Sequence, residues 1–135
     1  MIGGIIVSHG KLGEELLNAL TIILGEVSNI EAISIGWYDD VEDSKRKINQ
    51  SLKRVDQKNG VLIFTDMFGG TPSNLSFTFL KDGQVEIITG VNLPMLIKFV
   101  SLQRSNNVKD VARKVVEQGK KNIHLASALL GSKPS

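Results

Sequence analysis

Short apolar runs alternate along the chain with longer stretches in which apolar residues recur every three or four positions. The short runs have the length of buried strands, and the longer stretches have the spacing of amphipathic helices. This alternation predicts an α/β fold, with helices on both faces of a doubly wound, mostly parallel sheet. Strands are predicted over 2–7, 30–35, 61–65, 85–89 and 122–126.

Helix boundaries follow from residues that cap helices and from the positions of glycine and proline. The helix after the third strand is predicted to have Thr71 as its N-cap, before Pro72, and to end at about Leu80. The other predicted N-caps are Asp39 or Asp40, Asn92 and Asn107.

The 135 residues include 16 Lys and Arg against 14 Asp and Glu, a net charge of +2, and 41% of them are hydrophobic. A chain of this size buries one core. Without repeats or linkers, residues 1–130 are predicted to form a single domain, followed by a flexible tail over 131–135. The absence of cysteine excludes disulfides, a thiol nucleophile and Cys-ligated zinc, and with two histidines we expect neither a metal nor a cofactor.

The apolar start of the chain, Met1 to Val7, is too short to span a bilayer and lacks the features of a signal peptide. We therefore expect a cytoplasmic protein. Lys and Arg occur at helix-like spacing over 44–58 and 109–121, which is typical of solvated helix faces, so no nucleic-acid binding is predicted.

Polar residues cluster where three predicted strands end, at 8–10, 66–74 and 90–92. Ligands of open α/β sheets bind at this edge, where the strand order reverses. With the order 2-1-3-4, the first and third strands are neighbours, which predicts that His9 lies beside Asp66. A carboxylate that holds one ring nitrogen as a donor leaves the other free for nucleophilic attack or proton transfer. The alternative is that His9 closes the sheet edge and Asp66 only caps the next helix.

The glycine-rich segment after the third strand predicts an oxyanion cradle. Gly69 and Gly70 would let backbone N–H groups approach an anion at the start of the following helix. A tight turn with ordinary capping by Thr71 is the alternative. The segment is neither a Walker loop nor a GxGxxG motif, so nucleotide binding is not predicted.

Other polar and aromatic side chains are weaker candidates. No GxSxG elbow surrounds Ser8 or Ser73, which argues against a serine hydrolase. His124 lies in an apolar run and is predicted to be packed or on an edge strand. Trp37 and Tyr38 follow the second strand and either cover the core or contact a partner.

Taken together, His9-Gly10, the motif DxxGGTPxN over 66–74 and the motif GVNLPML over 90–96 resemble the mannose-type enzyme IIA of the bacterial phosphotransferase system. The resemblance implies that His9 accepts a phosphoryl group at Nε2 from HPr and passes it to enzyme IIB, which supports sugar uptake through the membrane enzymes IIC and IID. It also implies that Asp66 orients His9.

The resemblance also assigns residues to the loop around the phosphoryl group. Thr71 would hydrogen-bond near the phosphoryl group. The other implied residues of this loop are Gly10, Gly69, Gly70, Ser73, Asn74 and Asn92.

The fold implied by the resemblance adds an antiparallel edge strand from the C-terminal region, often exchanged between two subunits. We therefore expect a homodimer, with the strand that holds His124 as the candidate exchanged element. Many members continue into a fused IIB domain, whereas this chain ends at Ser135, so a separate IIB is expected.

Alternatives to sugar uptake stay open at this point. The chain also resembles, in its first strand and histidine, the phosphotransferase subunit of dihydroxyacetone kinase. A regulatory protein whose phosphorylation at His9 is read by a partner would have the same motifs. A small-molecule binder would use Asp66 and Thr71 as ligand contacts. The sugar itself is not predicted, because its recognition would lie in the membrane partners.

Overall fold

The computed structural model describes residues 1–131. Within them, four strands form one parallel sheet of order β2-β1-β3-β4. The predicted strand order and the four parallel strands are confirmed. The strands are β1 (Gly3–His9), β2 (Ile30–Ile35), β3 (Val61–Thr65) and β4 (Val85–Thr89). The helices are α1 (Leu12–Leu24), α2 (Val41–Val55), α3 (Thr71–Phe77), α4 (Leu93–Leu102), α5 (Val108–Lys121) and α6 (Ala126–Leu130).

Two apolar layers hold the helices to the two faces of the sheet. On one face, α1, α4 and α5 pack on a cluster that includes Phe64 and Phe99, whose rings meet edge to face with centroids 5.2 Å apart. On the other face, α2 and α3 pack on a cluster that includes Val7, Ile63 and Ile48. Because both faces are covered, β1 and β3 are almost entirely apolar, as the sequence pattern predicts.

The pairing of β1 with β3 positions the polar residues that follow them. Val7 pairs with Thr65 in parallel register, so His9 and Asp66 emerge side by side at the carboxyl edge of the sheet. The strand order reverses here, since β2 lies on one side of β1 and β3 on the other. Sheets of this kind form their ligand sites at such a reversal.

Three of the predicted helix caps are present and one is wrong. The side chains of Asp40, Asn92 and Asn107 accept the backbone N–H three residues on, at 3.3, 3.0 and 3.0 Å. Thr71, in contrast, is the first residue of α3, and the extended Gly70 is the N-cap. The reason is that the Gly70 carbonyl already accepts the first helical bond, from the Asn74 N–H.

The third helix is also shorter than predicted, because it ends at Phe77 and not near Leu80. From Thr78 to Leu80, each backbone N–H bonds to the carbonyl three residues before it, which tightens the chain and ends the regular α-helix. The Thr78 hydroxyl donates to the Leu75 carbonyl at 2.6 Å, which takes up an acceptor at the helix end.

The predicted antiparallel strand over 122–126 does not form in the described chain. Residues 122–125 pair with no strand, and the chain continues into the short helix α6. A strand needs a second strand to accept and donate its backbone hydrogen bonds, and within residues 1–131 no strand pairs with this segment. His124 is consequently exposed, neither packed nor on a strand. Except for Gly131, the tail predicted over 131–135 lies outside the described residues.

Candidate functional site

The carboxyl ends of β1 and β3 bring His9 and Asp66 into direct contact. Nδ1 of His9 lies 2.8 Å from Oδ2 of Asp66, and the backbone N–H of His9 donates to the same oxygen at 2.9 Å. A carboxylate can only accept hydrogen bonds, so Nδ1 carries the proton in this contact. Nε2 of the neutral ring is then left with a free lone pair.

The hydrogen bonds at Asp66 keep its carboxyl group ionised. Burial alone would raise the pKa of Asp66, but the backbone N–H and the ring of His9 both donate to it and lower the pKa. The Met67 N–H adds a further bond at 3.0 Å to Oδ1. On balance the pKa of Asp66 lies below its ordinary value, so this carboxylate is charged at neutral pH.

The lowered pKa of Asp66 predicts a pH-dependent contribution to stability. A depressed folded-state pKa stabilises the fold above the ordinary value of about 3.9, and that stabilisation is lost as the pH falls through the lower folded-state value. We expect Asp66→Asn to be less stable than wild type at neutral pH, with the difference narrowing between about pH 5 and about pH 2. Urea titrations of both proteins across this range test the expectation, and a constant difference would contradict it.

Gly70 lies against the imidazole of His9, where there is no room for a side chain. A Cβ atom at this position would lie 2.5 Å from Cε1 and 2.9 Å from Nε2 of His9, closer than real contacts allow. Any residue other than glycine would therefore displace the ring edge that holds the free nitrogen. The backbone of the loop after β3 thus comes directly against Nε2.

The loop that approaches His9 is held in place by Ser73. Its buried hydroxyl donates to the Gly70 carbonyl at 3.0 Å and accepts the Gly69 N–H at 3.0 Å. Gly69 has a φ of +92°, a left-handed conformation that favours glycine. Ser73 and Gly69, both predicted to surround a phosphoryl group, therefore fix the conformation of the loop.

A small cavity opens beside His9 between the ends of β1 and β2 and the start of α3. Its volume is about 190 Å³, and His9, Trp37, Ser44 and Thr71 are among the residues that line it. The structure thus brings the predicted Thr71 to the same cavity as His9. Within residues 1–131, no Lys or Arg lines it, and no three His, Asp or Glu side chains form a group that could hold a metal.

Within residues 1–131, three other predicted site residues form no hydrogen bond with the side chain of His9 or Asp66. Gly10, with a φ of +52°, donates its N–H to the Ile35 carbonyl and turns the chain from β1 towards α1. Asn74 is exposed on α3. Asn92 uses both of its side-chain polar atoms structurally: Oδ1 caps α4, and Nδ2 donates at 3.1 Å to the Gly119 carbonyl in α5.

Because Asn92 joins two helices, its replacement should affect stability more than chemistry. We expect Asn92→Ala to lower the free energy of unfolding by about 1–2 kcal/mol, through loss of a helix cap and one further hydrogen bond. Chemical denaturation measures this loss. The rate of the His9 phosphorylation that the resemblance implies should stay at its wild-type value. Loss of that rate in a fully folded variant would instead show that Asn92 belongs to the site.

Two features of the site were missed or left open by sequence reasoning. Trp37 lies beside His9, with ring centroids 5.9 Å apart, although its position after β2 left its role undecided. Thr65 is fully buried at the end of β3, and its hydroxyl has no hydrogen-bond partner in the described chain. The signal available for Trp37 was that it follows the carboxyl end of a strand next to β1. Nothing in the sequence pattern distinguishes Thr65.

The arrangement is suited to accept and release a group carried by another molecule. His9 offers an oriented nucleophilic nitrogen, and a third of its side chain is exposed, so a reacting partner can reach it. Within residues 1–131, the cavity beside it has no Lys or Arg in its lining that would hold a phosphate tightly.

Comparison with known proteins gives this chain clear relatives. A family model described as "PTS system fructose IIA component" matches residues 3–116. The fructose-specific EIIA component of the PTS of Bacillus subtilis is 30% identical over 128 residues, covering 94% of this chain and 88% of the relative. The mannose-specific EIIAB component of Escherichia coli is 29% identical over 126 residues, 92% of this chain but 39% of that longer protein.

Solved structures agree in fold. The crystal structure of the phosphotransferase system component EIIA from Streptococcus agalactiae is 27% identical and superposes with a TM-score of 0.85, over 95% of this chain and 99% of that one. A separate observation concerns membranes: none of the helices within residues 1–131 has the length and apolar character needed to cross a bilayer.

Proposed function

Since this chain belongs to the family of IIA components of the sugar phosphotransferase system, we propose that His9 is its phosphoryl carrier. In this proposal, Nε2 accepts a phosphoryl group from phospho-HPr and then passes it to an enzyme IIB, which serves the membrane enzymes IIC and IID. The observation that carries the proposal is the 2.8 Å contact between Nδ1 of His9 and Asp66, because it leaves Nε2 as the free nucleophile.

The proposed step forms one bond and breaks one. The Nε2 lone pair attacks phosphorus, the bond between phosphorus and the donor atom breaks, and the electron pair of that bond leaves with the donor. The proton on Nδ1 stays in place, held by Asp66. The Thr71 hydroxyl donates to a phosphoryl oxygen, and the loop containing Gly69 and Gly70 fits around the group.

In the part of the chain that the structure describes, no Lys or Arg lines the cavity, which supports a carrier role. A carrier must release what it binds, so strong charge pairing around the phosphoryl group would oppose onward transfer. The charged Asp66 nearby acts in the same direction, because it repels the phosphoryl oxygens while it orients the ring.

The test is phosphorylation by the complete donor chain. The protein is incubated with phosphoenolpyruvate, enzyme I and HPr, and intact-mass and peptide mass spectrometry then locate any phosphoryl group. We expect one acid-labile phosphoryl group, on His9, which disappears when a cognate enzyme IIB is added. No phosphorylation by a competent HPr would refute the carrier role, and phosphorylation without onward transfer to any IIB would favour a regulatory function.

We also propose that the protein is a homodimer that uses its C-terminal segment. Ile123 and Leu125 are 75% and 73% exposed, and Leu130 is 80% exposed, which is unusual for three apolar residues so close together. The outer edge of β4 pairs with no strand in the described chain, and a cavity of about 520 Å³ adjoins it against α5. An edge of this kind can receive a strand from a second copy.

Truncation after Lys121 should therefore convert a dimer to a monomer. The apolar residues that follow this position would be buried only between two copies, and their removal takes away that contact. Sedimentation equilibrium of the full chain and of the truncated chain measures the change. A full-length monomer at micromolar concentration, or a truncated dimer, would contradict the proposal.

A further inference from the structure

A tight turn after β2 presents two aromatic side chains next to His9. The side chain of Asp39 accepts the Gly36 N–H at 2.7 Å, and the Asp39 N–H donates to the Gly36 carbonyl at 3.3 Å. These two bonds close a four-residue turn whose tip is Trp37 and Tyr38. The tip is therefore held in a defined conformation by local hydrogen bonds.

The two side chains at the tip contribute little to the core. Trp37 is 89% exposed and Tyr38 is fully exposed. The ring of Trp37 nevertheless lies 5.9 Å from the imidazole of His9, at an angle of 41°. Folding stability does not account for a large aromatic side chain that is left in water at this position.

A second loop, which begins directly after Asp66, adds two more exposed apolar side chains. Met67 and Phe68 directly follow Asp66 and are 55% and 72% exposed. They lie in the same loop as Gly70, whose backbone comes against the imidazole. We call Trp37, Tyr38, Met67 and Phe68 the apolar collar.

The size of the cavity beside His9 indicates what the collar contacts. Sites that enclose a small ligand commonly measure about 300–1,000 Å³, whereas this cavity measures about 190 Å³. A phosphoryl donor is therefore not enclosed by this chain. A protein that brings a phosphoryl group to the partly buried His9 has to approach over the loops on either side of it.

We propose that the apolar collar is the docking surface for the protein that delivers the phosphoryl group to His9, with Trp37 and Tyr38 as its anchors. This inference rests on the proposed function. The partner that fits has an apolar patch around its phosphorylated side chain, because exposed tryptophan and tyrosine contribute most when such a patch removes them from water.

Two phosphoryl donors separate docking from chemistry. Phospho-HPr is a protein and must dock, whereas phosphoramidate is a small molecule that reaches His9 without docking. In the second reaction Nε2 bonds to phosphorus, the phosphorus–nitrogen bond of phosphoramidate breaks, and the nitrogen leaves as ammonia after taking up a proton from water. The readout is the ratio of the two second-order rate constants, measured by mass spectrometry.

The variants are Trp37→Ala and Tyr38→Ala, with Ile22→Ala as the matched control. Ile22 is 85% exposed on α1, so its truncation also removes exposed apolar surface, but away from the collar. We expect the ratio of the phospho-HPr rate to the phosphoramidate rate to fall about tenfold or more for Trp37→Ala. Tyr38→Ala should lower it severalfold, Trp37→Phe should restore part of it, and Ile22→Ala should keep the wild-type ratio.

The outcomes distinguish this inference from the proposed function. If neither donor phosphorylates wild type, the proposed function fails. If wild type is phosphorylated by both donors and the Trp37 and Tyr38 variants keep the wild-type ratio, the collar is not the docking surface. If Trp37→Ala slows both donors equally, Trp37 acts on the imidazole itself, and the docking role is likewise overturned.

Discussion

Replacement of His9 by glutamine should abolish phosphorylation completely. Glutamine can still donate a hydrogen bond to Asp66 from its amide, but it has no ring nitrogen with a free lone pair to attack phosphorus. The fold should be retained, because a third of the His9 side chain is exposed and its loss leaves no cavity in either apolar layer. Incubation with the complete donor chain, followed by intact-mass spectrometry, measures the loss.

The matched control for this variant is His124→Gln. The chain has two histidines, and His124 is exposed in the segment after α5 and is not among the residues that line the cavity beside His9. We expect this variant to be phosphorylated at the wild-type rate. A phosphoryl group on His9→Gln, or its loss from His124→Gln, would show that the carrier residue has been assigned wrongly.

Replacement of Asp66 by asparagine should slow phosphoryl transfer by about 10²- to 10⁴-fold. The amide of asparagine can donate to Nδ1, which would stabilise the tautomer with its proton on Nε2, and that nitrogen then has no lone pair for attack. The side chain is similar in size, so the loop that follows β3 should keep its course. The measurement is the second-order rate constant for phosphorylation by phospho-HPr.

Asp82→Asn is the control for Asp66→Asn. Asp82 is exposed and lies 3.2 Å from Lys109, in a surface ion pair that contributes little to stability. Its replacement removes the same charge from the chain without touching His9, so the wild-type rate is expected. An Asp66→Asn protein that is folded and transfers phosphoryl groups at the wild-type rate would rule out the orienting role.

Much of the fold follows directly from the sequence, since β1 and β3 are buried on both faces. Such strands must be almost entirely apolar, and this makes their limits visible in the sequence. Asn92 and Asn107 mark helix starts because their side chains satisfy backbone N–H groups only a few residues away. Interactions of this short range are encoded by neighbouring residues.

The central contact of the site was also predictable, but only together with a strand order. Once β1 and β3 are neighbours, the residues that follow them must meet, which brings His9 to Asp66. The position of Asn92 between β4 and α4 did not reveal that its side chain bonds to α5 and is not among the residues that line the cavity beside His9. The sequence of the motif that contains Asn92 is the same whether its side chain joins α4 to α5 or lines the site of His9.

Local periodicity and capping residues therefore encode the four parallel strands and most helix starts, and with the strand order added they also predict the contact of His9 with Asp66. The folded arrangement was needed to show that Gly70 lies against Nε2, that Trp37 is exposed beside the imidazole and that residues 122–125 form no strand in one copy. Each of these depends on groups far apart in the chain, or on a strand partner that a single copy does not offer, and neighbouring residues do not encode such contacts.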